Sequence, residues 1–124
     1  MELMVVSVIL GIIAGFAIPN YNTAIERSHR RDAENQLRSI YAADSIYRAQ
    51  NNSYWPAANG QLIAAINSGL GLNIIANGMT YTCNCRVACG SDFSCTATRN
   101  GWTLTVTEAA LGAGNPSCTA GVCP

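Results

Sequence analysis

Cysteine is the residue type in this sequence with the most chemistry to offer. The chain has 6 cysteines in 124 residues: Cys83, Cys85, Cys89, Cys95, Cys118 and Cys123. Thiolates can hold zinc or iron–sulfur clusters, whereas an even number of cysteines in a short chain favours disulfide bonds. The first four lack the Cys-x-x-Cys spacing of zinc sites, and no Cys-x-x-Cys-His motif for haem attachment occurs. The spacing therefore predicts disulfides and no metal site.

The sequence leaves the disulfide pairing open. Six cysteines can pair in many ways, and spacing does not choose among them. After Leu111 the chain has no hydrophobic periodicity, and a tail of this kind frays unless something holds it. We expect at least one disulfide from Cys118 or Cys123 back to the region between Cys83 and Cys95.

Histidine offers little catalytic potential. The single histidine, His29, lies between Ser28 and Arg30 on a polar helical stretch, whereas a catalytic histidine must meet a nucleophile and an orienting acid. No phosphate-binding or dinucleotide-binding motif is present, and lysine is absent because all 7 basic residues are arginines. We predict that the protein is not an enzyme and binds no cofactor.

The charge distribution gives no sign of a nucleic-acid interface. The formal net charge is zero, and Arg86 and Arg99 are the only basic residues in the C-terminal domain. Binding to single strands needs a basic stripe with stacking aromatic residues. We therefore predict no specific nucleic-acid partner.

An apolar N-terminal stretch is the element that must position everything else. Between Glu2 and Glu26 the chain carries no charge, and a helix from Leu3 to Ile25 reaches about 30 Å, the thickness of a bilayer core. A carboxylate in that phase costs about 3 kcal/mol and needs a cation nearby. A signal anchor or a signal peptide is the plain alternative, but neither explains Glu2 together with Pro19.

This stretch resembles the mature N-terminus of type IV pilins. The matching residues are Glu2-Leu3-Met4-Val5-Val6, Gly11, Ala17-Ile18-Pro19 and Tyr21, and the similarity continues through a polar helix to 50–55. The resemblance covers a little under half of the chain. It departs from the family at the start, because Met1 alone precedes the glutamate where the family has four residues. A sequence that begins inside the mature protein, a misplaced gene start and an atypical member all remain open.

The resemblance implies a fold, a function and a set of partners. The fold is α+β, a long N-terminal helix packed on a small antiparallel sheet with a disulfide-bonded tail. The leading function is the major pilin of an extracellular type IV pilus-like filament that serves adhesion, motility or uptake. The partners are identical subunits, the inner membrane before assembly, a prepilin peptidase and a pilus assembly platform. A type II secretion pseudopilin and a tip-located binding pilin are the alternatives.

The same resemblance assigns roles in assembly to a few N-terminal residues. Glu2 is expected to meet the terminal amine, on Met1 in this numbering, of a neighbouring subunit. Gly11, Gly15 and Pro19 weaken the apolar half of the helix, since proline costs about 3 kcal/mol and glycine up to about 1 kcal/mol inside a helix. We expect residues 11–19 to be non-helical in the filament and more continuously helical in an isolated subunit.

The polar half of the helix, 26–53, carries charges and an apolar stripe. Spacings of three and four residues place one set of apolar side chains on the domain: Leu37, Ile40, Tyr41, Ile46 and Tyr47. Glu26, Arg30, Glu34 and Arg38 follow one another at i to i+4 with alternating sign. We consider a second set as candidates for pairing between subunits, with a solvated helix face as the alternative: Arg27, Arg30, Arg31, Asp32 and Glu34.

The compartment follows from the cysteines. The arginines just past the apolar stretch argue against export of the domain under the positive-inside bias, but disulfides form in oxidising spaces. We give more weight to the cysteines and place the domain in the periplasm or outside the cell. Asn51-Asn52-Ser53 is a sequon that could carry a glycan.

We divide the chain into an apolar segment at 1–25 and a globular domain at 26–124. After the polar half of the helix, the domain is predicted to contain a loop at 54–78, an antiparallel sheet at 79–108 and a tail at 109–124. Within the loop, 61–66 is expected to be a short helix closed by Gly69, and 70–76 an edge strand or extended segment. Alternation at 79–87 and the Asn100-Gly101 pair between two alternating runs predict a strand and a hairpin. A two-residue turn would pair Arg99 with Trp102, and would place Ala97 with Leu104 and Cys95 with Val106 on the buried face.

Overall fold

The N-terminal apolar and polar runs form one helix, α1 (Glu2–Asn51). The computed structural model describes residues 2–55, 61–85, 89–112 and 114–124. The remaining elements follow in this order: β1 (Gln61–Leu62), α2 (Ile63–Leu70), β2 (Thr80–Asn84), β3 (Ser94–Arg99), β4 (Trp102–Thr107) and β5 (Ser117–Ala120). The strands form one antiparallel sheet in the order β1-β2-β3-β4-β5. The predicted α+β fold of a long helix on a small antiparallel sheet is confirmed.

Helix α1 is continuous in the single chain. It runs through Gly11, Gly15 and Pro19 without a break, which agrees with the expectation for an isolated subunit. The state of this segment in a filament stays a prediction. The helix ends at Asn51 because Asn52 adopts a left-handed φ of 56°, and its amide donates to the carbonyl of Arg48 at 2.8 Å. The end therefore comes before Tyr54, where the sequence placed it.

The second hairpin of the sheet has the predicted register. Asn100 and Gly101 both have positive φ, 45° and 82°, which is the geometry of a two-residue turn that matches the twist of the strands. Arg99 lies opposite Trp102, and the predicted pairs Ala97–Leu104 and Cys95–Val106 are also present. Their side chains alternate between a buried face and a face rich in threonine, so the sheet packs on α1 through one side.

The polar half of α1 packs on the sheet through a narrower stripe than the sequence predicts. Ala33, Leu37 and Ile40 are completely buried, whereas Ile46 exposes 60% of its surface. Six residues of helix rotate a side chain about 120° away from the starting direction. Ile46 therefore points away from the face that Ile40 presents to the sheet, and its predicted core position is wrong.

The segment that connects α1 to the sheet differs from its prediction in detail. Residues 61–62 are an edge strand, paired with β2, and the helix begins only at Ile63 and is capped by Gly71 with a φ of 64°. Gly69 does not end the helix; it lies against the indole of Trp55, where a Cβ atom would collide. Residues 72–76 form no strand, because the Asn67 side chain bonds both the amide and the carbonyl of Ile74, at 2.8 and 2.9 Å.

The disulfides differ from our expectation for the tail. The bonds are Cys83–Cys95, Cys85–Cys89 and Cys118–Cys123, so no bond joins the tail to the sheet cysteines. Cys83 and Cys95 face each other directly across β2 and β3, with Cα atoms 4.1 Å apart. Cys118 lies on β5, two strands from β3, a separation of about 10 Å that exceeds the reach of a disulfide.

The tail is held by hydrogen bonds rather than by a cysteine. Strand β5, which the sequence did not predict, pairs with β4. Asn115, which is buried, accepts from the amide of Thr107 and donates to its carbonyl, both at 3.1 Å. The Arg30 guanidinium donates to the main-chain oxygen of Pro124 at 2.8 Å. These contacts dock the tail against the sheet and α1.

Candidate assembly and interaction site

The apolar half of α1 is exposed in the single chain at residues 3–16 and 21–24. Its large side chains expose between 51% and 86% of their surface: Leu3, Met4, Val5, Val6, Val8, Ile9, Leu10, Ile12, Ile13 and Phe16. This is the one described helix that is long and apolar enough to cross a membrane, and none of its apolar window is buried. A surface of this size and polarity must be covered by lipid or by other protein.

The predicted assembly residues lie along this helix. Gly11 and Gly15 are on open helix surface, where a Cβ atom would meet nothing within 4 Å. The backbones of Glu2 and Pro19 belong to α1, but their side chains and all of Met1 lie outside the described parts of the structure. The proposed pairing of Glu2 therefore stays a prediction.

Next to the apolar half, three arginines and the end of the tail form a groove of about 510 Å³. Its lining residues are Arg27, Arg30, Arg31, Glu34 and Pro124, and we call it the arginine groove. Arg30 is held in place by Glu34, at 3.3 Å from Nε to Oε1, and by the oxygen of Pro124. Arg27 and Arg31 are exposed and form no ion pair or hydrogen bond with any described residue. The groove thus combines one fixed and two available guanidinium groups.

The structure separates the predicted charge cluster into two parts. Four of its five members, all except Asp32, line the arginine groove. Asp32 is directed elsewhere: its Oδ2 accepts hydrogen bonds from Gln36 and from Asn77 of the loop before β2, each at 3.2 Å. Asp32 therefore fixes α1 to its own domain, and this use competes with a role in pairing between subunits.

The predicted charge ladder is interrupted at its first member. Glu26 does not bond Arg30 but the tip of the β3–β4 hairpin: Arg99 and Trp102 donate to it at 3.3 Å and Asn100 at 2.8 Å. Burial raises the pKa of Glu26, but these hydrogen bonds and the charge of Arg99 outweigh it and lower the pKa below its ordinary value. Glu26 therefore anchors the hairpin tip to α1 as a carboxylate.

A second acidic residue of α1 lies inside the domain. The side chain of Asp44 is buried, with 3% of the residue exposed, and its Oδ1 accepts from the backbone amide of Trp55 at 2.8 Å. Burial raises the pKa of this carboxyl to about 6, and the hydrogen bond from Trp55 lowers it only in part. The pair holds the chain against α1 just after the helix has ended.

The remaining candidate residues, His29 and Asn51, both lie on α1. His29 is partly exposed on α1. In the described residues, no group of three His, Cys, Asp or Glu side chains is placed to hold a metal ion. Asn51 is the last residue of α1, and its side-chain nitrogen donates to the carbonyl of Tyr47 at 3.0 Å. A glycan on that nitrogen would replace this hydrogen bond, and glycosylation stays a prediction.

Sequence reasoning missed the roles of Glu26, Asp44 and Pro124. The burial of Asp44 could have been predicted from the sequence. Asp44 follows Ile40 by four residues, a spacing that places it on the apolar stripe of the helix. The contacts of Glu26 and Pro124 have no local signal. They join residues 73 or more positions apart, up to 94 positions.

The chain is similar to proteins of type IV pili and of a type II secretion system. Residues 19–119 match the family model described as type IV minor pilin ComP, DNA uptake sequence receptor. The chain is 36% identical over 58 residues to the type IV major pilin protein PilA of Myxococcus xanthus, a match that covers 47% of this chain and 26% of that protein. It is 37% identical over 54 residues to the type II secretion system core protein G of Pectobacterium carotovorum, covering 44% and 35%.

These matches are partial in length. The chain aligns with about a third or less of each of these curated relatives, and no solved structure matches it significantly.

Proposed function

The chain belongs to the type IV pilin family, and we propose that it is a structural subunit of an extracellular type IV pilus-like filament. The observation that carries this proposal is the bare apolar half of α1 joined to a folded, disulfide-bonded head. Before assembly the inner membrane would cover this surface. In the filament the same surface would pack against the helices of identical subunits.

The described features suit a structural role. We propose that the protein is not an enzyme, since its single histidine, His29, lies partly exposed on the polar half of α1. The prepilin peptidase and the assembly platform remain proposed partners. The two curated relatives are a major pilin and a secretion core protein, so a pseudopilin is the nearest alternative. Adhesion, motility and uptake are the proposed uses of the filament.

The direct test is electron microscopy of filaments sheared from cells that express the chain. We expect thin filaments for the unchanged protein, and few or none for Glu2→Ala, although that variant should still fold and stay in the membrane. The physical reason is that a carboxylate in an apolar environment needs a cationic partner. The control is Glu108→Ala, which removes an exposed carboxylate of the head. Normal filament yield from Glu2→Ala would contradict the role of this residue.

The weak part of α1 gives a second test of filament assembly. Gly11, Gly15 and Pro19 together lower local helix stability by several kcal/mol relative to alanine. An extended segment spans about 3.3 Å per residue against 1.5 Å in a helix, so it can adjust the register of neighbours. Changing all three to alanine should leave membrane insertion intact and impair assembly. A filament density map with unbroken helix from Leu3 to Tyr47 would refute the proposed unwinding.

A minor pilin that binds DNA is the second candidate function. Its support is the family model, whose description names a DNA uptake sequence receptor and which covers most of the head. This description runs against our expectation of no specific nucleic-acid partner, which stays a prediction. The test is fluorescence anisotropy of labelled duplexes with the full chain in detergent at several salt concentrations, since phosphate contacts give a steep salt dependence. Saturable binding that favours one sequence would support the receptor, and no binding at low salt would dismiss it.

A further inference from the structure

The arginine groove lies at a defined height on α1. The apolar segment from Leu3 to Ile25 spans about 30 Å, the thickness of the hydrocarbon core. The next two turns of the helix carry Arg27, Arg30 and Arg31. These three arginines line a groove together with Pro124 of the tail. When the apolar segment is in a bilayer, the groove is therefore at the level of the lipid headgroups.

The groove has the chemistry to bind a phosphate. The guanidinium groups of Arg27 and Arg31 have no acidic partner among the described residues, so they leave an excess of positive charge in a space of about 510 Å³. Arginine presents a planar fork of donors that matches two phosphate oxygens at once. Arg30 already donates through Nε to Glu34 and through Nη1 to Pro124. Its Nη2 group is thereby oriented, and Arg27 and Arg31 supply the remaining donors for a ligand.

The sequence gives an independent reason to expect a ligand here. Arginines beside a membrane span are disfavoured on the exported side, yet the disulfides of this chain belong to an oxidising compartment. A favourable interaction with the outer surface of the inner membrane would offset that bias. Anionic headgroups supply such an interaction, because basic residues near an anionic surface bind it.

We propose that the arginine groove binds the phosphate of an anionic phospholipid headgroup while the subunit is in the inner membrane. This inference rests on the membrane stage of the proposed function. A lipid fits better than DNA because the groove is small and directly adjoins the exposed apolar helix, along which the acyl chains would lie. Release of the headgroup would free Arg27 and Arg31 when the subunit leaves the membrane for the filament.

The test is native mass spectrometry of the full chain in detergent micelles, titrated separately with phosphatidylglycerol and phosphatidylcholine. The unchanged chain should retain phosphatidylglycerol in preference. Each basic residue near an anionic surface contributes roughly a factor of five, so R27Q/R31Q should weaken phosphatidylglycerol binding about 25-fold. Phosphatidylcholine binding should change little. The matched control is Arg38→Gln, an exposed arginine of the same helix that does not line the groove.

Three results would overturn the proposal. The first is equal retention of phosphatidylglycerol by the unchanged chain and R27Q/R31Q, with far-UV circular dichroism confirming that the variant is folded. The second is displacement of the lipid by inorganic phosphate at the same concentration, which would make the groove a general anion site. The third is binding of a short DNA duplex that depends on Arg27 and Arg31 without any lipid preference. Filament formation is scored separately by electron microscopy, so its failure is distinguishable from loss of lipid binding.

Discussion

Replacing Asp44 by asparagine should make the domain more stable at neutral pH and remove part of its pH dependence. Asp44 is buried, and its Oδ1 accepts a hydrogen bond from the amide of Trp55 at 2.8 Å. Asparagine has nearly the same shape and retains an oxygen for that bond. It lacks the negative charge, whose burial raises the pKa of the aspartate.

The size and direction of the effect follow from the two pKa values. The pKa of Asp44 is about 6 in the folded chain against an ordinary value of 3.8. The folded state thus holds the proton more tightly than the unfolded state. The contribution of Asp44 to the free energy of unfolding is most favourable below pH 4, and it is lost as pH rises from about 4 to about 6. A difference of two pKa units corresponds to about 3 kcal/mol, which is the upper limit for the gain in Asp44→Asn above pH 6.

The assay is thermal unfolding of the full chain in detergent, followed by near-UV circular dichroism between pH 4 and pH 8. For a domain of this size, a gain of this order raises the melting temperature by on the order of 10 °C at pH 7.5. At pH 4 the variant and the unchanged protein should melt within a few degrees of each other. The difference between the two pH profiles isolates Asp44 from the other carboxylates. Glu108→Gln, which removes an exposed carboxylate, is the control and should follow the unchanged profile.

Two outcomes would refute this reasoning. If Asp44→Asn is less stable than the unchanged protein at pH 7.5, the charged hydrogen bond to Trp55 outweighs the cost of burying the charge. If the difference between the two proteins does not change between pH 4 and pH 7.5, the carboxyl does not titrate in the window that its burial implies.

Three further predictions concern other residues of the domain. Glu26→Gln should lower the free energy of unfolding at pH 7 by about 1 kcal/mol, since it removes a partly exposed ion pair and weakens two hydrogen bonds. Because the pKa of Glu26 is lowered in the folded state, the difference in stability between the variant and the unchanged protein should shrink as pH falls below 4.5. Tyr81→Phe should be neutral or stabilising by up to about 1 kcal/mol in chemical denaturation, because the buried hydroxyl has no hydrogen-bond partner in the described structure. Peptide mapping without reduction should find Cys118 linked to Cys123, and C118S/C123S should lose about 2 kcal/mol of stability; a peptide that links either cysteine to the sheet would contradict the structure.

The sequence determined the parts of this protein whose cause lies in neighbouring residues. The uncharged run after Glu2 has the length of a membrane span, and it forms the exposed half of α1. Alternation on both sides of Asn100-Gly101 defined the register of the hairpin, because a two-residue turn leaves only one way for the flanking strands to pair. The N-terminal motif also carries the resemblance to type IV pilins, the family that the chain belongs to.

Other features depended on which distant residues meet, and only the tertiary structure decided them. Glu26 could equally have bonded Arg30 one helical turn away, and the docking of the hairpin tip gave it three donors instead. Asp44 is buried because Trp55 returns over α1 after Asn52 turns the chain. The tail cysteines bond each other because β5 lies outside β4, beyond reach of the sheet cysteines. In each case a residue could have bonded either a neighbour in the sequence or a distant residue, with interactions of similar strength. Which partner it bonds depends on how the whole chain packs, so neighbouring residues alone do not predict it.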